Sequence, residues 1–218
     1  NYNVVIGDEA GTAITTGDFN SATGYSAGSG LTTGIENTIA GALAGVALTD
    51  ADYNVAIGVQ ALATDTKGSK STAIGNQTLY LQNFATSTDS LNTAVGYQAG
   101  RTVTTGVQNT LIGALAGDAI TTGGGNVAVG YLALTANTTA SANNALGVAA
   151  LAANTTGADN VAIGTSALAS NTTASNNTAV GKAALAANTT GANMTAVGRS
   201  ALEANTTGAS NTATGRQA

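Results

Sequence analysis

The chain has 218 residues and a formal net charge of −5, contains no cysteine, histidine, proline or tryptophan, and has only 8% charged residues, against about a quarter in a typical globular domain. This shortage of basic residues argues against a nucleic-acid partner, and the lack of histidine and cysteine excludes Ser-His dyads and thiolate nucleophiles. No apolar run in this segment is long enough to cross a bilayer and none has the pattern of a signal peptide, so we expect no membrane insertion in this segment.

A repeat of seventeen residues runs through the chain. Asn-Val-Ala-Ile-Gly at 160–164 returns as Asn-Thr-Ala-Val-Gly at 177–181. We number one repeat from 0 to 16 with Asn160 at position 0, which places glycine at position 4 in all thirteen copies. The spacing between these glycines is seventeen except between Gly75 and Gly96, where it is twenty-one. A fixed period of this length is typical of a solenoid.

We therefore predict an all-β fold, a parallel β-solenoid (β-roll) of about twelve coils of seventeen residues. It would form a single domain over 1–218, with a four-residue insertion in the coil at 71–91. Both ends cut through a repeat, so we expect a section of a longer array.

Within one repeat, positions 1 to 3 carry mostly β-forming residues and end at the glycine, which predicts a short strand and a turn. A second short strand is expected at positions 6 to 8, as in 166–168. Asn-Thr-Thr-Gly at 154–157 is typical of a turn. Glycine and threonine recur too often for a helix to gain length.

Positions 8 and 11 exchange bulk from coil to coil. Leucine at position 8 is accompanied by Asn or Asp at position 11, as in Leu62 with Asp65, Leu134 with Asn137, Leu151 with Asn154, Leu168 with Asn171, Leu185 with Asn188 and Leu202 with Asn205. Glycine at position 8 is accompanied by a large apolar residue, as in Gly11 with Ile14, Gly28 with Leu31, Gly45 with Leu48, Gly100 with Val103 and Gly117 with Ile120. One large side chain per coil, from either site, predicts that both sites share one space in a close-packed core.

The strand is expected to point position 3 into this core and position 2 outward, because successive side chains alternate. Position 2 is almost always alanine, and its outward row would be an apolar strip typical of a protein interface. The candidate inter-chain ladder consists of Ala56, Ala73, Ala94, Ala128, Ala162, Ala179 and Ala196. An alternative is that alanine simply fills a tight bend.

These repeats resemble a known family. Asn-Val-Ala-Ile-Gly at 54–58 and Ser-Thr-Ala-Ile-Gly at 71–75 are similar to repeats in the heads of trimeric autotransporter adhesins, the YadA-like head. Asn-Thr-Ala-Val-Gly-Tyr-Gln-Ala at 92–99 also resembles arrays in phage tail fibres. The resemblance covers essentially the whole chain and implies a left-handed β-roll that forms a homotrimer. The adhesin head repeat is usually shorter than seventeen residues.

No constellation of residues indicates catalysis, a cofactor or a metal. The acidic residues are scattered over different repeat positions. Asp8 with Glu9, or Asp50 with Asp52, could pair or bind a cation, but solvated turn residues are the simpler interpretation. The triple glycine at 123–125 is followed by neither lysine nor a helical pattern, which is typical of a turn and not of a phosphate loop. We do not expect an enzyme.

Two places are candidates for partner contacts. The long coil gathers apolar and aromatic residues, and insertions in solenoids often carry contacts, although covering a neighbouring chain would also explain it. Position 5 varies strongly, which indicates an exposed ridge with basic residues towards its C-terminal end. The candidate contact residues are Tyr80, Leu81, Asn83, Phe84, Tyr97 and Tyr131.

Three functions are compatible with this sequence. The first is a rigid trimeric segment of a phage tail fibre or bacterial adhesin, extracellular or on a virion, that presents contacts to a receptor or glycan. The second is an ice-binding solenoid that uses the threonine row at position 12, although Asp50 and Lys67 interrupt the neighbouring row at position 13. The third is a passive fibre spacer.

Overall fold

The computed structural model describes residues 2–218, which contain parallel strands in stacked coils and no helix. It confirms the predicted all-β solenoid of about twelve turns. The chain divides into two compact units, Asn1–Asn109 and Thr110–Ala218. The first contains β1 (Val4–Ile6), β2 (Ser21–Thr23), β3 (Thr38–Ala40), β4 (Val55–Ile57), β5 (Gly68–Ser69), β6 (Thr72–Ile74), β7 (Thr88–Asp89) and β8 (Thr93–Val95). The second contains β9 (Thr110–Ile112), β10 (Val127–Val129), β11 (Asn144–Leu146), β12 (Val161–Ile163), β13 (Thr178–Val180), β14 (Thr195–Val197) and β15 (Thr212–Thr214).

Each three-residue strand pairs in parallel with the equivalent strand of the next coil. In the first unit the order is β1-β2-β3-β4-β6-β8, and in the second it runs from β9 to β15 in chain order. Ala162 faces Ala179, and Ile163 faces Val180, so the register keeps every repeat position in its own row. The rows follow from the period, because parallel pairing with a seventeen-residue offset places each residue beside the residue at the same repeat position in the next coil.

The glycine at position 4 is required by two features of the backbone. Gly164 has φ +132°, and a Cβ added to it would lie 2.6 Å from the carbonyl oxygen and carbon of Gly181 in the next coil. A side chain at this position would meet the main chain of the neighbouring coil and would also strain the backbone. This explains why the glycine recurs in every copy.

The predicted second strand at positions 6 to 8 is wrong. In that segment Ser166 has φ +57° and Leu168 has φ +51°, which is the left-handed region and cannot be part of an extended strand. Leucine rarely adopts this conformation, but the same position is glycine in other coils, for example Gly45 with φ +52°. The leucine–glycine exchange was therefore also a signal for a left-handed backbone.

The predicted exchange of bulk between positions 8 and 11 is confirmed. Leu168 and Leu48 are both fully buried, although they occupy different repeat positions. A Cβ added to Gly45 would lie 2.8 Å from Cδ1 of Leu48. The two sites therefore share one space, and filling both would overpack the core.

The orientation predicted for the strand is wrong. The alanine row at position 2 faces inward, and its members are 0% exposed: Ala56, Ala73, Ala94, Ala128, Ala162, Ala179 and Ala196. These alanines are in the core of their own chain and are not an inter-chain ladder. Position 3 faces outward, with Ile163 39% exposed.

The physical reason is that position 2 belongs to the same exchange of volume. It holds a large residue only where position 8 is glycine, as with Ile39 above Gly45 and Leu111 near Gly117. A Cβ added to Gly117 would lie 2.8 Å from Cδ2 of Leu111. Where leucine occupies position 8, the space that remains across the core admits only the methyl group of alanine.

Asparagine at position 0 forms a buried ladder that the repeat pattern alone did not predict. The side-chain amide of Asn160 donates to Oδ1 of Asn143 at 3.1 Å and to the carbonyl of Ala174 at 2.9 Å. Its own Oδ1 accepts from the backbone N–H of Asn177 at 3.0 Å. The ladder thus satisfies buried backbone groups that the short strands leave unpaired.

A second row of polar side chains, mostly buried asparagines, occupies position 11 wherever position 8 is leucine. Asn171 donates to Oδ1 of Asn154 at 2.9 Å and also to the carbonyl of Ala174 at 2.9 Å. The interior therefore combines about one large apolar side chain per coil with hydrogen-bonded amides. The stability of such a core depends on the hydrogen bonds of its buried polar groups more than the stability of an ordinary apolar core does.

The ladder is interrupted at Met194, which suggests a stabilising substitution. The backbone N–H of Asn211 points to Sδ of Met194 at 3.4 Å, a weak hydrogen bond. We expect Met194→Asn to raise the free energy of unfolding by about 1 kcal/mol, because an amide oxygen replaces sulfur as acceptor and extends the ladder. Urea unfolding followed by far-UV circular dichroism measures this change, and a lower midpoint than that of the parent would contradict it.

Candidate functional site

The outward face of the strands is the candidate functional surface. We define the strand face as the side chains at positions 1 and 3, which point away from the core in every coil. In the second unit position 3 holds Ile112, Val129, Leu146, Ile163, Val180, Val197 and Thr214. The first six of these are Ile, Val or Leu on strands β9 to β14, and Leu146 is 48% exposed. The first unit carries Ile6, Ile57, Ile74 and Val95 in the same row, interrupted by Thr23 and Ala40.

Charge is absent from the strand face. Position 1 carries threonine, valine, serine or asparagine throughout, and position 3 carries only aliphatic residues and threonine. Isolated exposed apolar residues are ordinary, but a contiguous apolar row on a regular sheet face is characteristic of an interaction surface. This row takes the place of the alanine ladder as the candidate interface.

The tyrosines at position 5 lie beside this face. Tyr97 is 52% exposed and Tyr131 is 51% exposed. Both are therefore accessible, as the sequence predicted, and their contact role stays a prediction. Tyr25, in the same row of the first unit, is 51% exposed.

The inserted coil contributes less surface than expected. Phe84 is only 6% exposed, and its ring is 2.8 Å from the place a Cβ would take at Gly68. Its predicted role as an exposed contact is wrong, because the ring is needed to cover the coil beneath it. Leu81 is 38% exposed and Asn83 is exposed, whereas Tyr80 is half-buried.

A buried polar network replaces the asparagine ladder in this coil. Position 0 is Ser71, which has no amide, and Gln82 reaches into its place. The side-chain nitrogen of Gln82 donates to Oδ2 of Asp65 at 2.6 Å and to Oγ of Ser71 at 2.9 Å. Its side-chain oxygen accepts from Asn92 at 2.8 Å. Gln82 thus takes over hydrogen bonds that an asparagine at position 0 makes in other coils.

Two titrating groups are shifted by local hydrogen bonds. The side-chain hydrogen bond from Lys70 to Asp89, with Nζ and Oδ2 2.5 Å apart, raises the pKa of the Lys70 ammonium. The backbone N–H of Tyr2 donates to Asp18 and is the main reason that the pKa of this carboxyl is lowered. Both groups are on the surface, where solvent screens such interactions.

The paired acidic residues have ordinary partners. Glu9 accepts a hydrogen bond from Oγ of Ser26 at 2.8 Å, and Asp52 accepts one from the backbone N–H of Ile35 at 2.8 Å. Within residues 2–218 no group of three or more acidic side chains is arranged to hold a metal ion.

The threonine row at position 12 does not present free hydroxyl donors. Oγ1 of Thr155 donates to the carbonyl of Thr172 at 3.0 Å, and Thr172 repeats this contact with Thr189 at 3.2 Å. The side chains of Thr155 and Thr172 are half-buried, whereas Thr156 at the neighbouring position 13 is exposed. A surface that orders ice needs an open array of hydroxyls, and here one of the two rows is engaged with the backbone.

The described part of the chain holds no helix that is both long and apolar enough to cross a membrane. Neither a family model, a curated protein nor a solved structure matches this chain, so the case for its function rests on the geometry of these surfaces.

Proposed function

We propose that the protein is a structural and attachment element in which copies of the chain associate through the strand face, as a trimeric segment of an extracellular fibre or adhesin head. The observation that carries the proposal is the uncharged apolar row at position 3, represented by Ile163, 39% exposed, and Leu146, 48% exposed. The core of a stable protein interface is apolar and poor in charge.

The thin interior also supports self-association. Each coil of the second unit buries about one leucine, such as Leu151 or Leu168, together with alanines and amides. Because the interior holds few large apolar side chains, the chain gains stability when a second apolar surface is removed from water. Association through the strand face would add that burial without any change of fold.

The regular register favours identical copies as the occupants of this face. Every strand pairs with its neighbour without a shift, so the apolar row has a constant repeat along each unit. A second copy carries the same spacing and would match it coil for coil. Closed symmetric assemblies are the usual outcome when one surface patch recurs on every copy.

The test is the solution mass of the purified chain and of one variant. Light scattering is expected to give three times the chain mass of 20.9 kDa. Ile163→Glu is expected to shift the mass towards the monomer, because burying an unpaired carboxylate in the interface is unfavourable. Its far-UV circular dichroism should be unchanged, since the side chain points away from the core.

Thr156→Glu is the matched control. It introduces the same charge at an exposed site outside the strand face and is expected to keep the parent mass. A monomeric parent chain, or an Ile163→Glu variant that assembles as the parent does, would refute association through this face.

A further inference from the structure

Three basic residues form a row on adjacent coils of the second unit. Lys182, Arg199 and Arg216 all occupy position 5, two residues beyond strands β13, β14 and β15. The carbonyl of Lys182 accepts from the backbone N–H of Ser200 at 2.9 Å, and that of Arg199 accepts from Gln217 at 2.9 Å. The three side chains therefore project from successive rungs, which parallel pairing spaces about 4.8 Å apart. We call them the cationic row.

The cationic row is exposed, and none of its members forms an ion pair. Between residues 2 and 218 the ion pairs are Lys67 with Asp50 and Lys70 with Asp89, both in the first unit. The chain has only six lysines and arginines, so half of its positive charge stands unpaired on three neighbouring rungs. Like charges this close repel one another in the absence of a counter-charge.

The same row continues towards the N-terminal side of the unit with neutral side chains. The carbonyl of Thr165 accepts from Ala183 at 3.0 Å, and that of Tyr131 accepts from Ala149 at 2.9 Å. From Tyr131 onward, position 5 of the second unit therefore presents Tyr131, Val148, Thr165, Lys182, Arg199 and Arg216 in this order from rung to rung. An aromatic ring, a hydroxyl and three cations thus follow one line.

We propose that this line binds an acidic polysaccharide, whose carboxylate or sulfate groups lie against the cationic row while its sugar rings run towards Tyr131. Lysine and arginine make charge-assisted hydrogen bonds to such oxyanions, and tyrosine presents an apolar ring with a polar tip. A linear polymer with an anion on successive sugars matches a linear array of cations better than a single small anion does.

The chemistry of the chain favours a polysaccharide over nucleic acid. Single-stranded nucleic acid is bound by several aromatic platforms along a basic groove, whereas this line carries one aromatic ring, that of Tyr131. The cationic row is also compatible with the strand face as an interface, because charged residues belong to an interface rim. The inference rests on the proposed attachment role, and repeated copies would add avidity.

The test is binding of the intact chain to immobilised dextran sulfate and polygalacturonate, with neutral dextran as the blank. The parent is expected to bind at low salt, with log K falling against log salt with a slope of about −2 for three contacts. Lys182→Gln combined with Arg199→Gln and Arg216→Gln is expected to weaken binding about tenfold or more.

The control is Lys67→Gln combined with Lys70→Gln and Arg101→Gln, which removes the other three cations and gives the same net charge. It is expected to keep the parent's affinity. No binding by the parent, equal losses in both triple variants, or binding only to anionic phospholipid vesicles would each overturn the inference.

Light scattering of the same samples separates this result from the fibre proposal. The triple variant in the cationic row is expected to keep the parent mass, since the strand face is untouched. Monomers that still bind dextran sulfate would refute self-association and leave the polysaccharide site standing, whereas assembled chains that do not bind would refute only the site.

Discussion

Gly45→Leu is expected to lower the free energy of unfolding by about 3 kcal/mol, because it overfills the core. The added Cβ alone would lie 2.8 Å from Cδ1 of Leu48 and 3.3 Å from Cδ1 of Ile39. Backbone strain is not the main cause of this loss of stability, since Gly45 has φ +52° and Leu168 adopts φ +51° at the same repeat position. Urea unfolding followed by far-UV circular dichroism gives the change.

The rescue is a triple variant that copies the pattern of the leucine coils. Gly45→Leu with Leu48→Asn and Ile39→Ala gives this coil the alanine, leucine and asparagine that the leucine coils carry at positions 2, 8 and 11. The amide introduced by Leu48→Asn would donate to the carbonyl at position 14, as Asn137 does to Ala140 at 3.0 Å. We expect the free energy of unfolding to return to within about 1 kcal/mol of the parent value, because the effects of substitutions at contacting sites are not additive. A triple variant less stable than Gly45→Leu alone would show that the sites do not share one space.

Asn160→Ala is expected to cost about 3 kcal/mol of unfolding free energy, because it leaves buried polar groups without partners. The backbone N–H of Asn177 loses its acceptor at 3.0 Å, and the amide contacts to Asn143 and Ala174 disappear. Burial of these groups keeps water from replacing the lost partners, so the full cost of desolvation is felt. Urea unfolding again measures the loss.

Asn144→Ala serves as the matched control for Asn160→Ala. Asn144 is at position 1 of the neighbouring coil and its side chain is exposed, so the same chemical change should alter stability by no more than about 0.5 kcal/mol. If the two variants lost equal stability, the ladder would not be the source of the effect. The contrast isolates burial, since residue type and substitution are identical.

The ridge at position 5 was within reach of sequence reasoning, whereas the strand face was not. Position 5 was expected to be an exposed ridge, and Tyr97 and Tyr131 are exposed there. The cationic row can be predicted from the repeat period and the sequence positions of Lys182, Arg199 and Arg216 alone. Phe84 was wrongly predicted to be an exposed contact, because an aromatic residue in an insertion can either bind a partner or pack over its own coil. Only the packing of its ring in the folded chain decides between these two roles.

The asparagine ladders were visible in the sequence as recurring letters but not as interior residues. Asn160 and Asn171 are polar, and polar residues are usually exposed unless they are paired. Pairing in this fold is supplied by the equivalent residue one coil away, and that contact becomes apparent only when the coils are stacked. Polar satisfaction is thus a property of neighbouring repeats and not of one repeat.

The sequence by itself determined the period, the parallel stacking and the exchange of bulk between positions 8 and 11, because each follows from comparing one repeat with the next. Alternation along a strand then determined only that Ala162 and Ile163 face opposite sides. The tertiary structure decided which of them is inside. The reason is volume: once Leu168 fills the narrow coil, the opposite strand has room for a methyl group, and the larger aliphatic row must face outward.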